Sequence, residues 1–295
     1  MKSFGQWPCS IGSPVESCCT GSIPCGTVSA NCSSPWQVSI RRSLSADPVK
    51  TDLTNSVHMC AGVLVDTEWV LTTASCALLA FQPFPDYSHG ALVAAEKSLS
   101  NVETLDQIRN ASEIHLHPAY HAPNAIDPSQ TDPSKAGEND FAMIKVNSPF
   151  TAYGGTECAS VICLPQNDTV ISCDTDVQTN GWGSLVGSFS PSDTPKEDMV
   201  KLWDLDTCKN FKFTIEGDLI KPVHDSMLCY TSNPISNNTA VPCAGDVGGA
   251  VAFEMPDGRF SLYGILHSGL ICTNNTFVHS VGNVISVVNW IRSKF

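Results

Sequence analysis

The sequence predicts a folded all-β protein: the strand pattern indicates the fold class, and the apolar content indicates a filled core. Short runs of β-branched, aromatic and other apolar residues recur along the chain, and turn-forming Gly, Pro, Asn and Asp separate them, which is the pattern of an all-β sandwich or barrel. Apolar residues make up 42% of the 295 residues, which is enough to fill a core. No segment repeats at a fixed period. One domain can account for this length, because β-barrel folds often exceed about 200 residues.

The individual elements are predicted in chain order. Residues 1–24 lack periodicity and are rich in Cys, Pro, Gly and Ser, so we expect a disulfide-tied extension there. Residues 118–139 are crowded with Pro, Asp, Ser and Ala, which predicts a surface loop. Residues 284–292 space their apolar side chains as an amphipathic C-terminal helix does. Strands are predicted at residues 36–40, 61–65, 69–73 and 141–146.

The charge of the chain limits its partners. Acidic side chains outnumber basic ones by 29 to 16, and the net charge is -13. Such a surface repels phosphate backbones and anionic lipids, so we expect no nucleic acid or heparin-like partner. No apolar run reaches the roughly 18 residues that a membrane span requires, and no such span is predicted. We expect no cofactor.

Cysteine usage predicts a secreted protein. The chain has 14 cysteines without paired C-x-x-C spacing, which indicates disulfides and an oxidising compartment rather than a metal site. Residues 1–8 contain no apolar signal-peptide segment. Either the leader lies upstream of this sequence, which we expect, or the chain is exported by another route. Glycosylation sequons, which agree with secretion, occur at Asn31, Asn110, Asn167, Asn237 and Asn274.

A series of short motifs occurs in a fixed order along the chain. Together they resemble the chymotrypsin-like serine protease family over roughly residues 25–295. The resemblance implies two antiparallel six-stranded β-barrels followed by a short C-terminal helix. The motifs are Pro35-Trp-Gln-Val-Ser-Ile40, Cys60-Ala-Gly-Val-Leu64, Trp69-Val-Leu-Thr-Thr-Ala-Ser-Cys76, His117-Pro-Ala-Tyr120, Asn139-Asp-Phe-Ala-Met-Ile-Lys-Val146, Cys163-Leu-Pro165, Asn180-Gly-Trp-Gly183, Gly245-Asp-Val-Gly-Gly249 and Asn289-Trp-Ile291.

The residues before this region allow two interpretations. The adjacent Cys18 and Cys19 resemble the end of a clip domain, a module of some non-catalytic protease homologues. A complete clip domain needs more cysteines than the three that precede Cys25. Residues 1–24 are therefore expected to be a truncated clip domain or a tethered propeptide, and residues 25–295 the protease-like domain.

The resemblance places substitutions at two of the three catalytic positions. Family chemistry requires a serine nucleophile, a histidine base and a buried aspartate that orients the histidine. Here these positions are assigned to Val247, Ser75 and Asp140. A valine cannot attack a carbonyl carbon, and losing triad members costs on the order of 10⁶ in turnover. We therefore expect no catalytic residue and no enzymatic activity.

Activation by cleavage is also expected to be absent. Family members are usually cut after a basic residue, and the new amino terminus then pairs with the aspartate that precedes the catalytic serine. No Lys or Arg occurs between Lys2 and Arg41, so Asp246 has no evident ammonium partner. A lone buried carboxylate is costly, and we expect Asp246 to be partly solvated, hydrogen-bonded elsewhere or protonated.

The substrate pocket departs from the family pattern as well. The pocket floor is assigned to Val241 and Pro242, the substrate strand to His267-Ser-Gly269, and one wall position to Thr276. A trypsin-like pocket, which needs a carboxylate, is excluded, and any remaining pocket is expected to be small and apolar or filled.

Three histidines need separate interpretation. His267 could form a rebuilt triad with Ser75 and Asp140, or could fill space and hydrogen-bond Asp140 or the backbone. His115 and His117 are spaced as metal ligands can be, but with no third ligand evident we expect a structural role and no metal site. His58 is assigned no special function.

Some of the cysteines can be paired through the resemblance. It implies Cys60–Cys76, Cys208–Cys229 and Cys243–Cys272 disulfides, and it joins Cys163 to Cys25 or Cys32. The other member of that pair, together with Cys9, Cys18, Cys19, Cys158 and Cys173, cannot be paired from the sequence.

The resulting hypothesis is a secreted, catalytically inactive serine protease homologue. It would act as an adaptor, cofactor or decoy in an extracellular proteolytic or immune cascade, with other secreted proteins as partners. One alternative is an atypical hydrolase that uses Ser75, His267 and Asp140. Another is an antimicrobial or pattern-binding protein, although that activity relies on a cationic surface.

Overall fold

The fold is described from a computed structural model. The N-terminal segment and several pocket and cysteine residues, Val241, Pro242, Gly269, Cys272 and Thr276 among them, lie outside the described residues. The structure describes residues 25–28, 32, 34–45, 47–82, 86–123, 135–152, 158–172, 174–184, 190–210, 223–232, 243, 245–267 and 278–295.

The first half of the chain forms a seven-stranded antiparallel sheet that curves around its own core. The strand order across this sheet is β5-β4-β1-β2-β3-β7-β6. The strands are β1 (Gln37–Ser43), β2 (Ser56–Asp66), β3 (Trp69–Thr72), β4 (Gly90–Ala94), β5 (Gln107–Arg109), β6 (Ala111–Leu116) and β7 (Ala142–Val146).

This sheet has seven strands because one strand of the expected six is divided at Asn110. Strands β5 and β6 form the two outer edges of the sheet but are consecutive in the chain, and only Asn110 separates them. The Asn110 carbonyl accepts the Asn147 N–H at 2.9 Å, outside both ladders. The strand that would close a six-stranded barrel is therefore broken into two, one half pairing with β4 and the other with β7.

The second half forms a closed six-stranded barrel, as the sequence predicts. Its order is β10-β13-β12-β11-β8-β9, and every pairing is antiparallel. The strands are β8 (Thr175–Gly181), β9 (Lys196–Leu202), β10 (Met227–Ser232), β11 (Ala250–Glu254), β12 (Phe260–Leu266) and β13 (Val278–Asn283).

Three helices occur among the described residues: α1 (Ala74–Phe81), α2 (Leu205–Asn210) and α3 (Val284–Arg292). The predicted C-terminal helix is confirmed as α3. Its apolar residues at intervals of three and four, Val284, Val287, Val288 and Ile291, are buried, as expected for an amphipathic helix on a core.

Four disulfides lie among the described residues. The alternative left open for Cys163 is resolved, because it pairs with Cys25, while Cys32 pairs with Cys158. The other two described pairs, Cys60–Cys76 and Cys208–Cys229, are those that the resemblance implies. Cys243 is also disulfide-bonded, but its expected partner lies outside the described residues.

Candidate functional site

Ser75 and Asp140 meet at the start of α1. Thr73 caps this helix, its side chain accepting the Cys76 N–H at 3.1 Å. Ser75 in the first turn donates its N–H to Asp140 Oδ1 and its hydroxyl to Asp140 Oδ2, both at 2.8 Å. Asp140 is buried, and both of its oxygens are thus satisfied by one residue. The Ser75 Oγ also lies 3.0 Å from Thr73 Oγ1.

Val247 sits in the loop between Cys243 and β11, which is anchored to both halves of the fold. The Val247 carbonyl accepts the Ala61 N–H of β2 at 2.8 Å, and Gly248 donates to the Leu266 carbonyl of β12 at 2.7 Å. A Cβ at Gly248, which has φ +88°, would lie 2.1 Å from the Ala61 carbonyl oxygen. Only glycine therefore fits at position 248. The side chain of Val247 is half-buried against the larger hydrophobic core cluster.

Asp246 is buried beside this loop and hydrogen-bonded to backbone. Its Oδ1 accepts the Gly183 N–H and its Oδ2 the Cys243 N–H, each at 2.7 Å. Burial raises the pKa of Asp246 to about 6, although the two N–H groups oppose this. A Cβ at Gly181 or Gly183 would lie 1.9 or 2.0 Å from the carboxylate, so the motif Asn180-Gly-Trp-Gly183 makes room for it.

The three alternatives considered for Asp246 can therefore be narrowed. The prediction that Asp246 is partly solvated is wrong, because only 7% of this residue is exposed. The hydrogen-bonded form is present, with both oxygens on backbone N–H groups.

His58 is a member of the site that sequence analysis missed. It is buried in β2, and its Nδ1 lies 2.8 Å from Ser39 Oγ and its Nε2 2.9 Å from the Gly245 carbonyl oxygen. Since a carbonyl can only accept, Nε2 carries the proton. Burial lowers the pKa of His58 to about 4, so the ring is neutral. The period-two alternation of β2, which puts His58 on the same face as Ser56 and Cys60, could have identified it.

His267 lies near Phe141 at the end of β12. The two ring centroids are 5.4 Å apart, and a Cβ at Gly282 would lie 2.3 Å from His267 Nε2. Among the described residues, the hydrogen bonds of Ser75 go to Asp140 and Thr73 and none goes to His267.

The other histidines that sequence analysis considered make side-chain contacts. His115 lies 2.9 Å from Glu113. His117 packs edge-on against Trp290 of α3, with centroids 4.8 Å apart. Across the ranges that the structure describes, no group of three or more His, Cys, Asp or Glu residues is arranged to hold a metal ion.

Two of the five sequons fall in the described residues. Asn167 is exposed, so a glycan there would meet no steric barrier from burial. Asn110 is half-buried, and its Nδ2 donates to the Gly90 carbonyl at 3.3 Å. The sequons at Asn31, Asn237 and Asn274 lie outside the described residues.

A half-barrel and a closed six-stranded barrel, both bonded to the loop that carries Val247, are consistent with the two-barrel fold of chymotrypsin-like proteins. The chain belongs to the trypsin family, whose model matches residues 23–291. It is 27% identical over 262 residues to the human (Homo sapiens) atrial natriuretic peptide-converting enzyme, covering 88% of this chain and 21% of that protein. It is 28% identical over 264 residues to transmembrane protease serine 11C of Mus musculus, covering 88% of this chain and 50% of that protein.

The chain thus spans between about a fifth and a half of the length of these relatives. Within the described residues, no helix combines the length and the apolar character needed to cross a membrane. The four described disulfides are typical of an extracellular or lumenal compartment.

Proposed function

We propose that the chain is a catalytically inactive serine protease homologue that acts outside the cell as a binding or regulatory protein. The observation that carries this proposal is Val247, an aliphatic side chain in the loop where the family has its nucleophile. Nucleophilic catalysis requires an oxygen, sulfur or nitrogen that a base can activate. Valine offers none of these.

The lack of a usable base supports the same conclusion. Asp140 accepts both donors of Ser75, so a carboxylate and a hydroxyl face each other where the family places an aspartate and its histidine base. No imidazole stands at this position to take a proton from a nucleophile. The neutral ring of His58 is engaged at both nitrogens by Ser39 and Gly245, and it has no lone pair left for a substrate.

A peptide-hydrolysis assay tests the proposal. The purified chain would be incubated with a panel of fluorogenic peptides, before and after treatment with trypsin that is then quenched with a protein inhibitor. We expect no turnover above that of the Val247→Ala variant purified in parallel, which controls for contaminating proteases. Sustained turnover that serine-directed inhibitors block, and that the variant lacks, would overturn the proposal.

The alternative hydrolase, with Ser75 as nucleophile, is tested with a fluorophosphonate probe. This alternative requires labelling at Ser75 and its loss in the Ser75→Ala variant. We expect no labelling of the chain, whereas trypsin added to the same sample is labelled. The antimicrobial alternative is disfavoured by the net charge of -13, and bacterial-surface binding at physiological salt would support it.

The partners are proposed to be secreted proteins of a proteolytic or immune cascade. Their identity can be tested by capture from native extracellular fluid on the immobilised chain, followed by mass spectrometry. Specific recovery of proteases or of their protein substrates would support the regulatory role. Recovery of intracellular or nucleic-acid-bound proteins alone would contradict it.

A further inference from the structure

The disulfide between Cys25 and Cys163 lies against a cationic side chain. Arg259 Nη1 is 4.0 Å from the Cys25 Sγ and 3.9 Å from the Cys163 Sγ. Because the two distances are nearly equal, the positive charge lies beside both sulfurs rather than beside one. A disulfide is neutral and gains little from a cation, whereas a thiolate formed on reduction is stabilised by it. The contact therefore favours the reduced form of this pair.

A carboxylate holds the Arg259 side chain in this position. Asp257, in the same turn between β11 and β12, accepts Arg259 Nε on its Oδ2 at 2.8 Å, and Nη2 lies 2.8 Å from the same oxygen. The hydrogen bond from Arg259 is the main cause that lowers the pKa of Asp257, so the pair is ionised at neutral pH. Asp257 takes the Nε and Nη2 edge of the guanidinium. Nη1, which shares the delocalised charge, is left at the two sulfurs.

This disulfide lies one side chain below the surface. Cys25 and Cys163 are buried, but the Arg259 side chain that contacts both sulfurs is 30% exposed. Exposed side chains change rotamer within picoseconds to nanoseconds. Access for a small thiol therefore requires a rotation of Arg259 and not an opening of the barrel.

A second disulfide allows this one to open without unfolding the chain. Cys32–Cys158 spans 126 residues within the 138 that Cys25–Cys163 spans, so both disulfides close nearly the same loop. Gly26, beside Cys25, also donates to the Val161 carbonyl at 2.8 Å and accepts the Phe260 N–H at 2.9 Å. Opening Cys25–Cys163 alone would leave the loop closed by Cys32–Cys158, and little loop-closure entropy would be regained.

We propose that Cys25–Cys163 is a thiol–disulfide exchange site that a free thiol opens, with Arg259 as the positioning residue. A thiolate attacks one sulfur, forms a mixed disulfide with it and releases the other cysteine as a thiolate beside the guanidinium. A second thiol attacks the mixed disulfide, so two thiols are oxidised to one disulfide and the protein gains two electrons and two protons. A leaving thiol of lowered pKa departs faster. This exchange does not depend on the proposed absence of catalysis.

Alkylation in glutathione buffers of increasing reducing strength tests the order of opening in the unmodified protein. Free thiols would be blocked with N-ethylmaleimide and assigned by peptide mass spectrometry. We expect Cys25–Cys163 to open in a buffer about 10-fold less reducing than Cys32–Cys158 requires, the effect of roughly one unit of thiol pKa. Exposure alone predicts the opposite order, since Cys32 and Cys158 are 8% and 9% exposed and Cys25 and Cys163 are 7% and 6%. Simultaneous opening, or earlier opening of Cys32–Cys158, would overturn the inference.

Three single variants locate the effect at Arg259. Arg259→Gln removes the cation, and Cys25–Cys163 should then require a buffer about 10-fold more reducing. Arg259→Lys keeps a cation and should stay closer to the wild type. Lys145→Gln is the matched control, because it removes a cation of similar exposure, 34% against 30%, that is paired with Glu113. It should leave the opening unchanged. If Arg259→Gln also leaves it unchanged, the inference is wrong.

A pH profile of the unmodified chain serves if Arg259→Gln does not fold. After opening in glutathione and removal of the glutathione, the rate of alkylation by iodoacetamide would be followed at Cys25 and Cys163 against pH. Only the thiolate reacts, so the midpoint of the profile reports its pKa. We expect a midpoint below the ordinary value of about 8.5 for at least one of the two cysteines. Midpoints at or above that value for both would contradict the inference. Turnover in the peptide-hydrolysis assay would overturn the proposed function but not the exchange site.

Discussion

Asp246 shows most clearly how one residue depends on its surroundings. It is a buried carboxylate whose compensation, among the described residues, comes from two backbone N–H groups rather than from a cation. Two hydrogen bonds stabilise the anion, but they do not cancel the loss of water, and the pKa stays raised at about 6. The ionised form is therefore held in the fold at a cost.

We expect Asp246 to make folding stability fall as the pH rises from about 4 to about 7. Its folded pKa of about 6 lies above the ordinary value of 3.8, so the folded chain holds the proton more tightly than the unfolded chain. The stabilisation is complete at low pH and is lost through pH 6. A shift of this size corresponds to roughly 3 kcal/mol.

Urea unfolding of the oxidised protein at several pH values measures this effect. Between about pH 4 and about pH 7, the wild type should lose about 2–3 kcal/mol of unfolding free energy relative to the Asp246→Asn variant. Other carboxylates contribute equally to both proteins and cancel. A difference that moves in favour of the wild type would mean that a cation pairs with Asp246.

At the scale of elements, a buried ion pair joins β1 to the segment after β4. The Arg41 guanidinium pairs with Glu96 and also donates to the Leu99 carbonyl at 3.2 Å and the Ser56 Oγ at 3.1 Å. The side chains of Arg41 and Glu96 are only 5% and 1% exposed. Burial raises the pKa of Glu96, and Arg41 opposes this. The pKa of nearby Asp106 is raised too, first by burial.

We expect Arg41→Met to cost about 3–5 kcal/mol at pH 7.5, because it leaves a buried carboxylate without its cation. The cost should be smaller at pH 5. Without Arg41 the pKa of Glu96 rises further, and its protonated form, which is favoured at low pH, is tolerated in the core. Chemical denaturation at the two pH values, followed by tryptophan fluorescence, measures both effects.

The exposed pair of Arg259 and Asp257 provides a matched control. The side chains are 30% and 52% exposed, and exposed pairs contribute about 0–1 kcal/mol. Arg259→Met should therefore change stability by less than about 1 kcal/mol at either pH. Equal costs for the two arginine variants would show that burial of the Arg41 pair has no energetic consequence.

Over the whole molecule, long-range disulfides tie the start of the described chain to its middle. Cys25 and Cys163 are 138 residues apart in sequence. Gly26, beside this disulfide, donates to the Val161 carbonyl and accepts from the Phe260 N–H, so the start of the chain also contacts β12. The short Cys208–Cys229 link spans 21 residues and joins α2 to β10.

We expect removal of both long-range disulfides, Cys25–Cys163 and Cys32–Cys158, to destabilise the protein more than removal of Cys208–Cys229. Both must be removed together, because either one alone closes nearly the same long loop. In the chain-entropy model a loop of 126 residues contributes about 5 kcal/mol and one of 21 residues about 3 kcal/mol. Each disulfide would be removed by replacing both cysteines with alanine, and unfolding of the oxidised proteins by guanidinium would be compared. A larger loss for the short loop would show that local strain or residual structure outweighs loop closure.

The outline of the fold could be predicted from the sequence because the signals are local. Short, nearly continuous apolar runs mark β2 and β7, and spacing by three and four marks α3. The expected positions of Ser75, Asp140 and Val247 also followed from motifs that surround each of them. The break at Asn110 could not be predicted, since an asparagine within a strand pattern does not show where its carbonyl will bond.

The site depends on contacts between residues far apart in the chain. His58 is 187 residues from Gly245, and Arg41 is 55 residues from Glu96. No local pattern encodes such pairs. The same holds for the room that Gly181 and Gly183 leave for Asp246, which is evident only once β8 and the loop before β11 are packed together.

The sequence by itself determined the chemical inventory: an all-β chain in two barrels, with valine and serine at two of the three catalytic positions assigned by resemblance and a strongly negative charge. Only the tertiary structure decided which of these residues are buried and what they bond. It brings Asp140 within hydrogen-bond distance of Ser75 and buries Asp246 against backbone donors. The physical reason is that side-chain identity is local, whereas burial and hydrogen-bond partners arise from packing between distant segments.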